Sequence, residues 1–240
     1  MQVISLDSEK IKKNDSLWVY HDSLVDVWFY FYADKGLDML FIQNKIDKPV
    51  FLDLKNSFIS INNFKKDFWS DVSQLNGDLT FKQYKSITFT THNPINASLS
   101  RPDRIIMIPP NSVDNIKTGV SLQTQPFLMD SFQSKNEVVA ANWTKNKKTL
   151  IKSADFNNQS SPSHIRFFLT ISKTEDFKNP VYHDLYFWVS NIMEMDARQG
   201  TNSSYPYDYL TGVYANGEKD PDKATKHPYK KSWRFYLRKD

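Results

Sequence analysis

No cysteine occurs anywhere in the 240 residues. That absence excludes thiol catalysis, cysteine-ligated zinc and a disulfide framework. A chain of this length buries roughly 70% of its unfolded surface and needs no such staple. Glycine is scarce as well: the six are Gly36, Gly77, Gly119, Gly200, Gly212 and Gly217, and no two lie closer than five residues. Phosphate-cradling loops need glycines at close, fixed spacing so that backbone can approach the anion, and nucleotide-loop motifs are therefore absent. The five histidines (His21, His92, His164, His183, His227) are isolated from one another, which leaves no helical pair to hold zinc. No G-x-S-x-G string marks a serine nucleophile. Long apolar runs are missing too, none approaching the roughly 18 residues that span a bilayer. The opening MQVISLDSEKIKKND has no apolar core of the signal-peptide kind.

Charge of one sign is short everywhere except at the end. The net charge of +4 arises entirely between Glu218 and Asp240, where eight basic residues face four acidic ones. Positions 1 to 217 balance 23 basic against 23 acidic residues. A nucleic-acid binder shows a much larger excess on one face with interleaved aromatics. The pattern excludes a nucleic-acid partner and reads as solvated charge near a C-terminus.

What is abundant is aromatic residues, at 15% of the chain, and period-two alternation. In VDVWFYFY, Val25, Val27, Phe29 and Phe31 share one face, opposite Asp26, Trp28, Tyr30 and Tyr32. Gly36 can take the positive φ of a short hairpin loop, after which LDMLFIQN returns with Leu37, Met39 and Phe41 on one side. Asp47-Lys48-Pro49 reads as a turn into VFLDL and SFISIN. YKSITFTT alternates, and DRIIMI stops at Pro109-Pro110 because proline lacks the ladder N–H. EVVAANWT reads as a further strand. HIRFFLTIS and DLYFWVSNI are apolar at nearly every position, as in central strands covered on both faces, and SWRFYLRK alternates again.

One stretch, NFKKDFWSDVSQLNG, spaces Phe64, Phe68, Val72 and Leu75 at three and four residues and predicts a short helix from Asn63 to Gly77. The polar stretches 93–103, 145–164 and 199–231 read as long loops. These patterns predict a mainly β protein: an antiparallel β-sandwich with long loops and one short helical insertion. Residues 1–240 form a single unit, and any division into two β halves falls at Pro126 to Asn136. The expected core comprises Val27, Phe29, Phe31, Met39, Phe41, Phe89, Ile106, Phe167, Leu169, Phe187, Val189 and Phe235.

Chemistry-bearing residues are few. His21-Asp22 and His183-Asp184 are sequence neighbours, but adjacent strand residues point to opposite faces, so neither is an acid/base couple. Glu194-Met195-Asp196 places two carboxylates on one strand face, a spacing common by chance. Glu218, Asp220 and Asp222 alternate like a cation loop but lack the glycine and closing glutamate of an EF-hand. No metal, cofactor or catalytic residue is assigned. The candidate binding stretch is QGTNSSYPYDYLTGVY, where Tyr205, Tyr207, Tyr209 and Tyr214 accompany Asn202, Ser203, Ser204 and Asp208. Rigid rings beside small polar groups suit a protein or glycan partner; the same rings can instead pack back and cover the loop.

DVWFYFYADKGLDMLFIQNKIDKPVFLDLKNSFI, DRIIMIPPNS, HIRFFLTISKTEDFKN, DLYFWVSNIMEMD and SWRFYLRK, taken in order, resemble a group of uncharacterised bacterial envelope proteins, many with lipoprotein-type export signals. The resemblance covers most of the chain through structural motifs only, so it transfers no functional residue. It implies export to the periplasm or outer-membrane surface, with a lipid anchor upstream of these residues. If Met1 is the native start, the location is cytoplasmic instead. The sequence reading is thus a non-enzymatic structural or interaction module of the cell envelope. The alternative is a carbohydrate-binding sandwich using the tyrosine-rich loop 199–214.

Overall fold

The computed structural model describes residues 1–14, 17–31, 35–69, 74–78, 96–100, 103–140, 145–146, 148–196, 207–208, 213–214 and 234–237. Its strands are β1 (Gln2–Asp7), β2 (Lys12–Lys13), β3 (Trp18–His21), β4 (Val25–Tyr30), β5 (Leu37–Asn44), β6 (Val50–Asp53), β7 (Phe58–Ile61) and β8 (Phe64–Asp67). They continue with β9 (Gln74–Asp78), β10 (Asn96–Ser100), β11 (Ile105–Ile108), β12 (Val113–Ser121), β13 (Lys135–Ala140) and β14 (Lys148–Asp155). The last are β15 (His164–Ser172), β16 (Val181–Glu194), β17 (Tyr207–Asp208), β18 (Val213–Tyr214) and β19 (Arg234–Leu237). The one helical element among the described residues is a 3-10 turn, Met129–Ser131.

The protein is mainly β, with antiparallel sheets packed together. The larger sheet runs β11-β6-β15-β16-β1-β19, with β7 and β8 beside β15 and the β13–β14 hairpin joined to β16. The smaller sheet runs β12-β5-β4-β3-β2. Alternation on β4 puts Val25, Val27 and Phe29 inward, each fully buried. They meet Phe167 of β15 and Phe187 of β16: Phe29 lies 4.9 Å and 5.0 Å from these two rings, and Trp18 of β3 lies 5.7 Å from Phe187. Residues from both sides of Pro126–Asn136 share this core. Tilted and edge-on ring pairs of this kind add about 0.5–1.5 kcal/mol each beyond burial.

Buried polar groups tie the layers. Asn44, at the end of β5, is fully buried, and its Nδ2 lies 2.8–3.0 Å from the carbonyls of Lys48, Ile108 and Pro109. Gln2 is also fully buried, and its amide pairs with Phe127 in both directions: Nε2 donates to the Phe127 carbonyl, and Phe127 N–H donates to Oε1.

Several sequence expectations are corrected. The helix from Asn63 to Gly77 is not formed: Phe64–Asp67 and Gln74–Asp78 are strands. Asn62 and Asn63 both have positive φ, at 50° and 69°, and form the two-residue turn of a hairpin that pairs Ile61 with Phe64. Asparagine tolerates that conformation, as primed hairpin turns require, and Phe64 is 80% exposed, so it lines no helix face. The loops expected at 93–103 and 145–164 contain the whole of β10 and of β14.

On β5 the inward face is the other one: Leu40 and Ile42 are buried and Phe41 is half-buried. Directly paired residues share a face, and β4 pairs Val27 with Ile42 and Phe29 with Leu40, which decides the matter. Ile106 is likewise half-buried, packed against the core. Phe89 and the Met39 side chain lie outside the described residues, and the remaining eight expected core residues are buried. Finally, β15 and β16 are not covered on both faces: Ile165, Phe167, Leu169 and Ile171 are buried, whereas Arg166 and Phe168 are half-exposed.

Candidate functional site

Of the candidate tyrosine-rich stretch, the structure describes only a two-rung ladder. It pairs Tyr207 with Tyr214 and Asp208 with Val213. Asn202, Tyr205 and Tyr209 lie outside the described residues, as do Glu218, Asp220 and Asp222.

The outward face of the large sheet carries a second aromatic group that the sequence reading missed. Phe58 on β7 is paired directly with Phe168 on β15, and Tyr182 on β16 sits diagonally across from Phe168. The three rings form one row: Phe58 and Phe168 stack at 5.1 Å with planes 15° apart, and Phe168 and Tyr182 at 5.7 Å with planes 24° apart. Tyr182 is 61% exposed. The Arg166 guanidinium lies 5.8 Å from the Phe58 ring and 5.7 Å from that of Phe168. The Lys65 ammonium lies 5.1 Å from Phe58.

Arg166 is held in place by a fork. Its Nε and Nη2 donate to the two carboxylate oxygens of Asp184 at 2.7 Å and 2.8 Å. That bidentate bond holds the Asp184 carboxyl below its ordinary range, against the opposing effect of desolvation. Both charges are therefore fixed near neutral pH, and the surface offers flat apolar rings beside a planar, satisfied ion pair. The chemistry such a surface offers is stacking and hydrogen bonding. Among the described residues no group of three histidine, cysteine or carboxylate side chains could hold a metal ion.

The His-Asp neighbours resolve differently from their sequence order. His183 points inward and Asp184 outward, as strand alternation requires. The partner of His183 is Asp22, whose Oδ2 lies 3.5 Å from Nδ1, and His21 pairs instead with Asp26 at 3.0 Å. Burial pushes the His183 imidazole below its ordinary value, with Asp22 acting in the opposite sense. Its Nε2 is buried without a hydrogen-bond partner. At 2% exposure this ring is closed off from solvent.

A cleft of about 480 Å³ opens where the 3-10 turn meets the end of β16, lined by Phe127, Leu128, Met129, Asp130, Ser131 and Glu194. Glu194, one of the two carboxylates of the Glu194-Met195-Asp196 string, accepts a hydrogen bond from Gln2 Nε2 at 2.8 Å.

No family model, curated protein or solved structure matches the chain. The row Phe58–Phe168–Tyr182 was hard to find in the sequence because Phe168 and Tyr182 lie in or beside almost wholly apolar runs. The signal present was the placement of Arg166 and Asp184 inside those runs, since charged residues mark the face that no second sheet covers.

Proposed function

We propose that this protein is a non-enzymatic interaction module of a bacterial cell envelope, which takes a protein or glycan partner on the outward face of its large sheet. The observation that supports this reading best is the outward row Phe58–Phe168–Tyr182, half-buried at the two phenylalanines and exposed at Tyr182, beside the Arg166–Asp184 fork. Aromatic and arginine side chains on a rigid sheet give large contact area at low entropic cost. The envelope location, and a lipid anchor upstream of the described strands, follow from the resemblance to envelope proteins. The test is a parallel screen of the purified chain on a glycan array and a displayed peptide library. A ligand retained by the wild type and lost by Tyr182→Ala is expected; ligands retained equally by both would count against this face. Fractionation of cells that make the protein should place it in the periplasm or outer membrane, and recovery from the cytosol would overturn the location.

A second reading, a carbohydrate-binding sandwich using the tyrosine-rich stretch, draws support from the register that pairs Tyr207 with Tyr214. Replacing Tyr205, Tyr207 and Tyr209 together with alanine should then abolish glycan capture without lowering the melting temperature. A fall of several degrees without any loss of capture would show that the rings cover the loop instead.

A further inference from the structure

β16 is paired unevenly along its 14 residues. On one side, Val181 through Trp188 pair with Ile171 through His164 of β15. On the other side, β1 reaches only as far as Trp188, the partner of Asp7. Among the described residues, Val181–Leu185 thus have a neighbouring strand on one side alone. Which backbone groups face the open side follows from parity. Val189 N–H donates to the Ser163 carbonyl at 3.0 Å, and the register runs back from there to Val181 without a shift. Odd-numbered residues therefore exchange their bonds with β15, and even-numbered residues direct theirs to the opposite edge. The Tyr186 carbonyl obeys this rule, accepting a 2.6 Å bond from the Ser8 hydroxyl. Tyr182 and Asp184 come next, and their two N–H and two C=O groups face the open edge.

The same edge ends the aromatic row. Tyr182 has Phe168 on the β15 side and no described strand on the other. Open strand edges are usually guarded by lysine or proline. The β8 edge of this sheet carries Lys65 and Lys66 in the exposed strand Phe64–Asp67. Val181–Leu185 contain no lysine, and the single acid there is already satisfied by Arg166.

We propose that the Val181–Leu185 edge of β16 binds an extended polypeptide segment by strand addition, with an aromatic side chain of that segment continuing the row beyond Tyr182. This deepens the interaction reading above and narrows its partner to a polypeptide. Main-chain bonds to Tyr182 and Asp184 supply affinity, and the residue packed on Tyr182 supplies specificity. A second copy of the chain is the poorer occupant. Five residues span about 17 Å, and pairing two such edges alone falls short of the roughly 1,200 Å² that stable assemblies bury.

The test uses random twelve-residue peptides displayed on phage and selected on the intact protein. The selected peptide is then measured against Asp184→Ala and Asp184→Pro. Both variants lose the Arg166 ion pair, and only the proline loses the N–H that faces the edge. Binding by the proline variant at least ten-fold weaker than binding by the alanine variant is expected. Equal binding by the two variants would overturn strand addition. Should Asp184→Pro fail to fold, N-methylation of successive peptide residues against the wild-type protein decides: losses at every second position are expected, and losses without that period overturn the proposal. Retention of a glycan on this face by Asp184→Pro, with no peptide selected at all, would also overturn it while leaving the interaction reading in place.

Discussion

The imidazole Nδ1 of His183 stands 3.5 Å from a carboxylate oxygen of Asp22, joining β16 of the large sheet to the turn between β3 and β4 of the small one. Asp22 is itself fixed, because its Oδ1 accepts the N–H groups of Leu24 and Val25 at 2.6 Å and 2.9 Å. The Tyr20 ring meets the imidazole edge-on at 5.6 Å.

A pH dependence follows from this placement. Burial lowers the folded-state pKa of His183 below its ordinary 6.5, so the unfolded chain takes up the proton first as pH falls. The stability tied to neutral His183 is whole above pH 6.5 and is lost as pH drops from there through the folded pKa. Urea midpoints at pH 7.5 and 5.5 should show wild type losing stability on acidification and His183→Gln losing less. Equal losses would mean that His183 carries none of the effect.

Much of the fold could be read in advance, and its errors have identifiable physical sources. On β4 the alternation Val25–Val27–Phe29 against Asp26–Trp28–Tyr30 has one apolar face, and that face is buried. On β5 both alternating sets are apolar, so the sequence offers no choice between Phe41 and Leu40; the cross-strand partner on β4 makes it. Asn62-Asn63 is a hairpin turn hidden by the chance helical spacing of Phe64 and Phe68. The site was legible only in part. The tyrosine-rich stretch is conspicuous because it lies in a polar context, whereas Phe58, Phe168 and Tyr182 come from three separated strands that only sheet pairing brings together.

Gln2 should prove a stability residue. Gln2→Ala removes both bonds to Phe127 and the bond to Glu194, leaving backbone groups of Phe127 without their partner. A loss of about 1–3 kcal/mol is expected from chemical denaturation. A change within experimental error would mean that water replaces the amide freely.

Asp53 should be costlier. It is 1% exposed and accepts bonds from Arg104 Nε and Nη2, from the N–H groups of Lys55 and Asn56, and from Asn56 Nδ2. Desolvation opposes ionisation, yet these bonds together hold its carboxyl below the ordinary 3.8. Stability from this group is therefore present above pH 3.8 and lost as pH falls through the folded value. Asp53→Ala should cost about 3 kcal/mol at neutral pH, the lower end for breaking such a pair because Arg104 is half-exposed. The difference between variant and wild type should shrink in acid, and a difference independent of pH would contradict the assignment.

Gly36 and the phenylalanine core supply a paired test of packing. Gly36 has φ +60°, and a Cβ there would lie 2.8 Å from Cγ of the buried Phe235. Gly36→Ala should cost about 1–3 kcal/mol through overpacking in addition to backbone strain. Phe29→Ala or Phe167→Ala should cost about 3–5 kcal/mol through lost burial and the cavity left behind. A loss below about 1 kcal/mol at either phenylalanine would be incompatible with a core that forms around them.

The central claim is that a partner is taken on the outward face of β7, β15 and β16. Its most direct measurement is a map of backbone amide shifts in the isotope-labelled protein during titration with the ligand recovered from the parallel glycan and peptide screen. The expected result is a contiguous set of shifts at Phe58, Arg166, Phe168, Tyr182 and Asp184. Shifts confined to residues 199–214, or to the cleft between Phe127 and Glu194, would contradict it.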